Sequence, residues 1–284
     1  AAIVMSNEVD RLGMDTNEMG WLLGLVMECY EKGIITKKDT DGLEMTWGNV
    51  EAVRAMMRKI AYREGFGDIL AEGTMRAAQR IGGEAPNMAI HTMKGSTPRG
   101  HDHRVRTNEQ FDTSVSDSGT LEATTLVANT ADFNIPIPPN AFSADEVAMI
   151  EANLKGSMQF EDSLGVCRFT TRTDIKLLAE AVNAATGWNI TPEEAMQTGR
   201  RAVALLRSFN LRHGHTRADD RPSPRYGSTP VDGRAEGKTL APQWDEMLDS
   251  YYRMMGWDEK TSKPLPETLR SLELEHVIPD LWEK

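Results

Sequence analysis

Two short stretches pair ligand-capable side chains with a glycine at the same spacing. DRLGMD runs from Asp10 to Asp15, and DSLGVC runs from Asp162 to Cys167. Each reads Asp, any residue, Leu, Gly, an apolar residue, then a second side chain able to hold a ligand. Glycine lacks Cβ, so Gly13 and Gly165 let the backbone turn sharply at positive φ, aiming the polar groups at either end the same way. Carboxylates in such a turn accept from the ring and amino N–H groups of a heterocycle, and the Cys167 thiolate is a soft ligand suited to iron or zinc. Met14 and Val166, beside the glycines, are expected to anchor the turns in a core. One such turn alone reads as an Asx-turn or a helix stop. Two copies with matching apolar spacing favour a shared role.

The elements that must position these corners are helical. Met19, Leu22, Leu23, Val26, Met27 and Tyr30 form a stripe at helical spacing, with Thr16 as the expected N-cap and Gly33 as the stop. Cys29 lies on this helix and reads as a small buried hydrophobe. A second helix is expected from Asn49 through Val53, Met56, Met57 and Ile60 to Gly65, and a third from Ile69 to Ile81. Gly65, Gly67 and Gly73 punctuate this region as caps or close contacts, since no strand or G-x-G-x-x-G makes a dinucleotide cradle of them. Further on, Ser143 with Glu146 opens a helix over Val147, Met149, Ile150 and Leu154. Helices follow from Asp174 to Gly187 and from Thr191, where TPEE is a capping box. The latter is expected to turn Ala195, Met196, Val203, Leu205 and Leu206 inward. A final helix carries Trp244, Met247, Leu248, Tyr251, Tyr252 and Trp257.

From Pro86 to about Asn140 helical periodicity is lost and active-site loops are expected, with the proline-rich NIPIPPNAF at their end. HTMKGSTPRGHDHRVR places Lys94, Arg99, His101, His103, Arg104 and Arg106 within thirteen residues. Such density is met either by solvent or by an anion, a cofactor phosphate or acidic substrate. His213, His215, Asp219 and Asp220 have ligand-like spacing, but their charges read as neutralising one another.

The net charge of −11 argues against nucleic acid as a partner. No apolar run is long enough to span a bilayer, and two cysteines fit a reducing, cytoplasmic compartment. Sixteen Met and few aromatics point to helix packing.

The paired corners, in order with GMDTNEMG, MECYEKG, LEMTWGN, YREGFGDILAEG, MKGS, FNLRHGHTRADDRPSPR and YYRMMGWD, resemble the aldehyde ferredoxin oxidoreductase family over essentially the whole chain. The resemblance implies a mainly α fold of two helical domains, residues 1–90 and 91–284, corresponding to the second and third domains of that family. It implies a longer enzyme whose amino-terminal β-rich domain or subunit, with a Cys-x-x-Cys-x-x-x-Cys segment, lies outside this chain. The implied cofactors are a tungsten or molybdenum bis-pterin and a 4Fe-4S cluster. Asp10, Gly13, Met14, Asp15, Asp162, Gly165, Val166 and Lys94 would bind the former. Cys167 would be one of four iron ligands, the other three coming from the missing segment. The implied partners are a ferredoxin-like electron carrier and a small carbonyl or acyl-CoA substrate, and a homodimer is among the assemblies allowed. The sequence departs from the aldehyde-oxidising pattern at SDSGTLE, where Ser118 and Glu122 stand in place of an Arg and a His. That makes Glu122, His101 and His103 the candidates for proton transfer. RGHDHR resembles instead the branch that reduces aromatic acyl-CoA rings. A cofactor-free assembly module is the reading from outside enzymology.

Overall fold

The computed structural model describes residues 2–119, 121–123, 130–133, 135 and 140–283. Most of NIPIPPNAF, including Pro136, Pro138 and Pro139, lies outside the described residues. The chain is mainly α-helical, as expected, and no strand ladder occurs among the described residues. It divides into two compact units, the first comprising Ala1–Asp102 with Arg221–Ser228 and the second His103–Asp220 with Thr229–Lys284.

The first unit is built from α1 (Ala2–Arg11), α2 (Thr16–Glu31), α3 (Val50–Tyr62), α4 (Phe66–Leu70), α5 (Thr74–Ile81) and α6 (Ala85–Met88). Leu22, Val26 and Cys29 on α2 pack with Met56, Met57 and Ile60 on α3 in one core. Three helix boundaries differ from expectation. The N-cap of α2 is Asp15, not Thr16: the Asp15 carboxylate accepts from Glu18 N at 2.6 Å. The helix expected over residues 69–81 is two helices, because Gly73 takes φ +85° and caps α5. The helix expected to run on to Gly65 ends at Tyr62, with Arg63 at φ +54°. Segment 221–228 joins this unit through backbone bonds from Met93 N to Arg221 O and from Ser223 N to His91 O, both 2.8 Å.

The second unit holds α7 (Thr107–Val115), α8 (Ala144–Leu154), α9 (Ser157–Ser163), α10 (Arg168–Thr171), α11 (Ile175–Thr186), α12 (Pro192–Arg212), α13 (Trp244–Met255), α14 (Pro266–Ser271) and α15 (Ile278–Trp282). The caps at Ser143, Asp174 and Thr191 form as read, the last as a full capping box with Glu194. Helix α7 falls where helical periodicity is lost in the sequence. Seven of its residues are buried, Gln110, Asp112, Thr113 and Ser114 among them, so no polar face betrays it. The inward face of α12 is Ala195, Gly199, Val203, Ala204, Arg207 and Ser208. Leu205 and Leu206, expected inside, are 46% and 36% exposed. Two glycines let α9 and α12 touch backbone to backbone: a Cβ on Gly199 would lie 1.8 Å from Gly156 O.

Candidate functional site

The two glycine corners share one backbone geometry. Gly13 has φ +71° and Gly165 φ +69°. Gly13 N donates to Asp10 O at 3.1 Å, and Gly165 N donates to Asp162 O at 3.0 Å. In each case the sixth residue is extended and caps the next helix, Asp15 with ψ 128° before α2 and Cys167 with ψ 129° before α10. The local cause is the same in both: a helix runs out, glycine takes the left-handed turn no other residue adopts cheaply, and a new helix starts at once. No atom lies within 4 Å of the Cβ that either glycine lacks, so the turn is required by backbone angle and its outer face is open.

The corners differ in how their side chains are spent. Asp15 is committed to Glu18 N, while Asp10 Oδ1 accepts from Thr16 Oγ1 at 3.2 Å. Met14 packs against the first core, as expected. Val166 is 38% exposed and anchors nothing, which corrects the expectation for it. Asp162, Gly165 and Cys167 are exposed too, and Cys167 makes no side-chain cap bond. Partial burial raises the pKa of Asp162 above the usual carboxylate range, against the lowering effect of Arg168. Cys29 is wholly buried on α2, and burial pushes its thiol up to about 11, so it is inert where Cys167 is open.

Lys94 lies half-buried in the turn closed by Thr92 N to Ser96 O at 2.8 Å. The loop following it is tied to the start of α2: Thr97 Oγ1 donates to Glu18 Oε2 at 2.7 Å, and Trp21 Nε1 donates to Pro98 O at 2.7 Å. Glu18 also takes the N–H and hydroxyl of Thr74, at 2.5 and 2.7 Å. The first unit therefore brings the loop of Lys94 to the turn of helix that Asp15 caps.

His101 is exposed in the first unit, whereas His103 opens a single 3-10 turn in the second. His103 is buried, with Nε2 3.3 Å from Glu109 Oε2. Glu122 is fully buried as well. Its Oε1 accepts from Asp117 N at 2.9 Å and Ser118 N at 2.7 Å, and its Oε2 lies 3.1 Å from Lys155 Nζ.

Lys155 is the centre of a charge cluster that sequence reasoning missed. Besides Glu122 it meets Asp112 Oδ1 at 3.0 Å and Glu151 Oε1 at 2.8 Å, with all four side chains at most 3% exposed. Asp112 also accepts from Glu122 N and Ala123 N. Burial opposes the ammonium, but Asp112 and Glu151 outweigh it and raise the Lys155 pKa. Three carboxylates crowd one cation, and burial and then Asp112 push the Glu151 carboxyl well up from its ordinary value.

A second buried cation holds the same loop from its other side. Arg207 takes both oxygens of Asp220, at 3.1 and 2.6 Å, and meets Asp117 Oδ1 at 3.3 Å. Its guanidinium lies over Trp257 and Tyr252. Asp220 is thus an ion-pair partner, Asp219 accepts from Thr216 N in a capping box, and His213 Nδ1 bonds Phe209 O. Among the described residues no group of three or more His, Cys, Asp or Glu is placed to share a metal ion. The signal for both cations was in the sequence: Glu151 and Lys155 sit four apart in an apolar helix, and Arg207 interrupts VALLRSF.

The comparisons with known proteins accord with this arrangement. The family model for domains 2 and 3 of aldehyde ferredoxin oxidoreductase matches residues 1–274. A tungsten-containing aldehyde ferredoxin oxidoreductase of Pyrococcus furiosus is 32% identical over 93% of this chain and 44% of its own length. The WOR-like subunit of an aliphatic sulfonate oxidoreductase from the same organism is 31% identical, over 95% and 42%. The chain spans less than half the length of these relatives. Among solved structures, the BamBC active-site complex of benzoyl coenzyme A reductase with 1,5-dienoyl-CoA matches with a TM-score of 0.73 at 23% identity. That match covers 93% of this chain and 44% of the other and shows a common fold. No helix among the described residues is long and apolar enough to cross a membrane. The chain belongs to the aldehyde ferredoxin oxidoreductase family, of which it carries the second and third domains.

Proposed function

We propose that this chain is the helical part of a cytoplasmic tungsten- or molybdenum-pterin, iron–sulfur oxidoreductase that oxidises aldehydes to carboxylic acids and passes the electrons to a ferredoxin. The observation that carries the reading is the matched pair of corners, Gly13 and Gly165 at φ +71° and +69°, each open above the glycine. Asp10, Asp15 and Asp162 present acceptors for pterin N–H groups, and the backbones of Gly13, Met14, Gly165 and Val166 lie where a flat ring can approach. Lys94 supplies a cation for a cofactor phosphate. Cys167, exposed and uncapped, serves as one iron ligand. A cubane cluster takes about four thiolates, so the other three come from outside these residues, Cys29 being enclosed.

When bound, the metal–pterin group supplies two-electron exchange with the substrate, and the protein supplies position and field. Of the three proton-transfer candidates, His101 alone has an exposed ring, while His103 and Glu122 are enclosed beside Glu109 and Lys155. Proton transfer at an open site therefore falls to His101, with Glu122 holding the loop of Asp117 and Ser118.

The test is metal analysis of the full-length protein grown with tungstate, followed by assay of aldehydes against aryl-CoA thioesters. Tungsten or molybdenum with iron, and aldehyde turnover, supports the reading. Active protein without these metals refutes it. Turnover of aryl-CoA alone would instead favour the ring-reducing reading, whose support is RGHDHR and the benzoyl-CoA reductase likeness. A natural chain with no partner bearing the remaining cysteines would leave an assembly module.

A further inference from the structure

The second unit contains a cavity of about 670 Å³, within the range of small-molecule sites. Its walls mix apolar side chains, Phe133, Ile175, Met196 and Leu272, with a few charges. Three carboxylates line it, and each has a place. Asp132 pairs with Lys176 at 2.9 Å, Asp174 caps α11 through Leu177 N at 3.1 Å, and Glu193 sits in the first turn of α12.

Arg200 is the exception. Among the described residues its guanidinium makes one hydrogen bond, from Nη2 to Ala152 O at 3.2 Å, and no ion pair. Its Nε is enclosed and has no acceptor. Partial burial pulls its pKa below the ordinary arginine value. Gly156 lets the backbone of α12 come close at this residue: a Cβ there would lie 2.8 Å from Arg200 N and 2.9 Å from Arg200 Cγ. A guanidinium offers five donors in a planar fork, so most of its hydrogen-bonding capacity faces no protein partner. A buried charge in that condition is costly, and an anion relieves it.

We propose that this cavity binds a small monocarboxylic acid with an apolar body, its carboxylate on Arg200 and its body against Phe133, Ile175, Met196 and Leu272. The planar carboxylate matches the guanidinium fork, which a spherical anion does not. One negative charge suits the lining better than two, because its three carboxylates already exceed its two cations, Lys176 and Arg200. The site lies wholly within the second unit and requires neither metal nor pterin, so it stands or falls separately from the proposed activity.

The experiment is a titration of this chain with 4-fluorobenzoate followed by fluorine NMR, with 4-fluorobenzamide and inorganic phosphate as competing arms. Fluorobenzoate is expected to bind, with the neutral amide at least about tenfold weaker, the share of affinity a charge-assisted contact contributes. Arg200→Met should weaken fluorobenzoate by a similar factor. Met196→Trp should fill the cavity and remove binding while leaving Arg200 and the helical circular dichroism in place, which decides the matter if the Arg200 variant does not fold. No binding at millimolar ligand, equal binding of amide and acid, equal binding by wild type and Met196→Trp, or displacement by phosphate as effective as by the acid itself would each overturn the proposal.

Discussion

Removing the ammonium of Lys155 while keeping its aliphatic stem, as in Lys155→Met, should be among the most damaging single changes in the second unit. The variant leaves Asp112, Glu122 and Glu151, now 2.8 to 3.1 Å from a cation, with none, at positions water does not reach. Breaking one partner out of a buried ion pair costs about 3–5 kcal/mol, because the opposite charge remains enclosed. Glu151→Gln is the control, since burial and Asp112 favour the neutral form of Glu151, and Gln keeps an acceptor for Lys155 and a donor for Asp112; it should change stability by no more than about 1 kcal/mol. The pH dependence separates them further. A carboxyl whose folded pKa is raised binds its proton more tightly folded than unfolded, so its contribution to stability is fully present below the ordinary value of 4.5 and is lost as pH rises towards the folded value. Above pH 4.5 the wild type should thus lose stability relative to Glu151→Gln, measured by urea unfolding at several pH values. Equal damage from the two variants, or an Lys155→Met cost below about 1 kcal/mol, would refute the assignment of charge in this cluster.

Gly199→Ala should destabilise more than Gly165→Ala: the first drives a methyl into Gly156 O at 1.8 Å, outweighing the gain in helix propensity, while the second costs only the left-handed backbone, about 1–2 kcal/mol. Thermal unfolding that ranks them the other way would refute the close approach of α9 and α12. These 284 residues, folded and free of iron, should take up one equivalent of iodoacetamide at pH 8, at Cys167, since Cys29 with a pKa of about 11 is ionised only to about one part in a thousand there; mass spectrometry showing Cys29 labelled as fast would contradict its burial. Asp15→Ala should cost about 1 kcal/mol through loss of the α2 cap and Asp15→Ser should restore most of it, whereas Asp162→Ala, which removes no cap, should cost less.

Periodic apolar stripes and capping residues were legible in the sequence, and the caps at Ser143, Asp174 and Thr191 and the packing faces of α2, α3 and α13 follow from them. Helix α7 was not legible because its buried residues are mostly hydroxyl, amide and carboxylate side chains, which leaves no amphipathic signature. Leu205 and Leu206 mislead for the converse reason: the inward face of α12 is made of small residues and one arginine, so its larger apolar side chains point outward. The glycine corners could be read as a pair, but Asp15 as an N-cap could not, since Thr16 beside it has an equal claim on composition. Glu151 lies one helical turn before Lys155, but the other partners, Asp112 and Glu122 of Lys155 and Asp117 of Arg207, are far away in the chain, and no local pattern announces which distant carboxylate a buried cation will meet.

The glycine contact between α9 and α12 reaches beyond packing. Helix α9 starts at the residue after Gly156 and ends two residues before Gly165, so it is a rod roughly 10 Å long with a fixed seat at one end and the Asp162–Cys167 corner at the other. Any tilt at the seat is carried along the rod to the thiol. A substitution at Gly199 mild enough to preserve the helices would therefore still shift the Cys167 sulfur, which it never touches, and under the proposed role of that thiol as an iron ligand such a shift matters more than it does for folding.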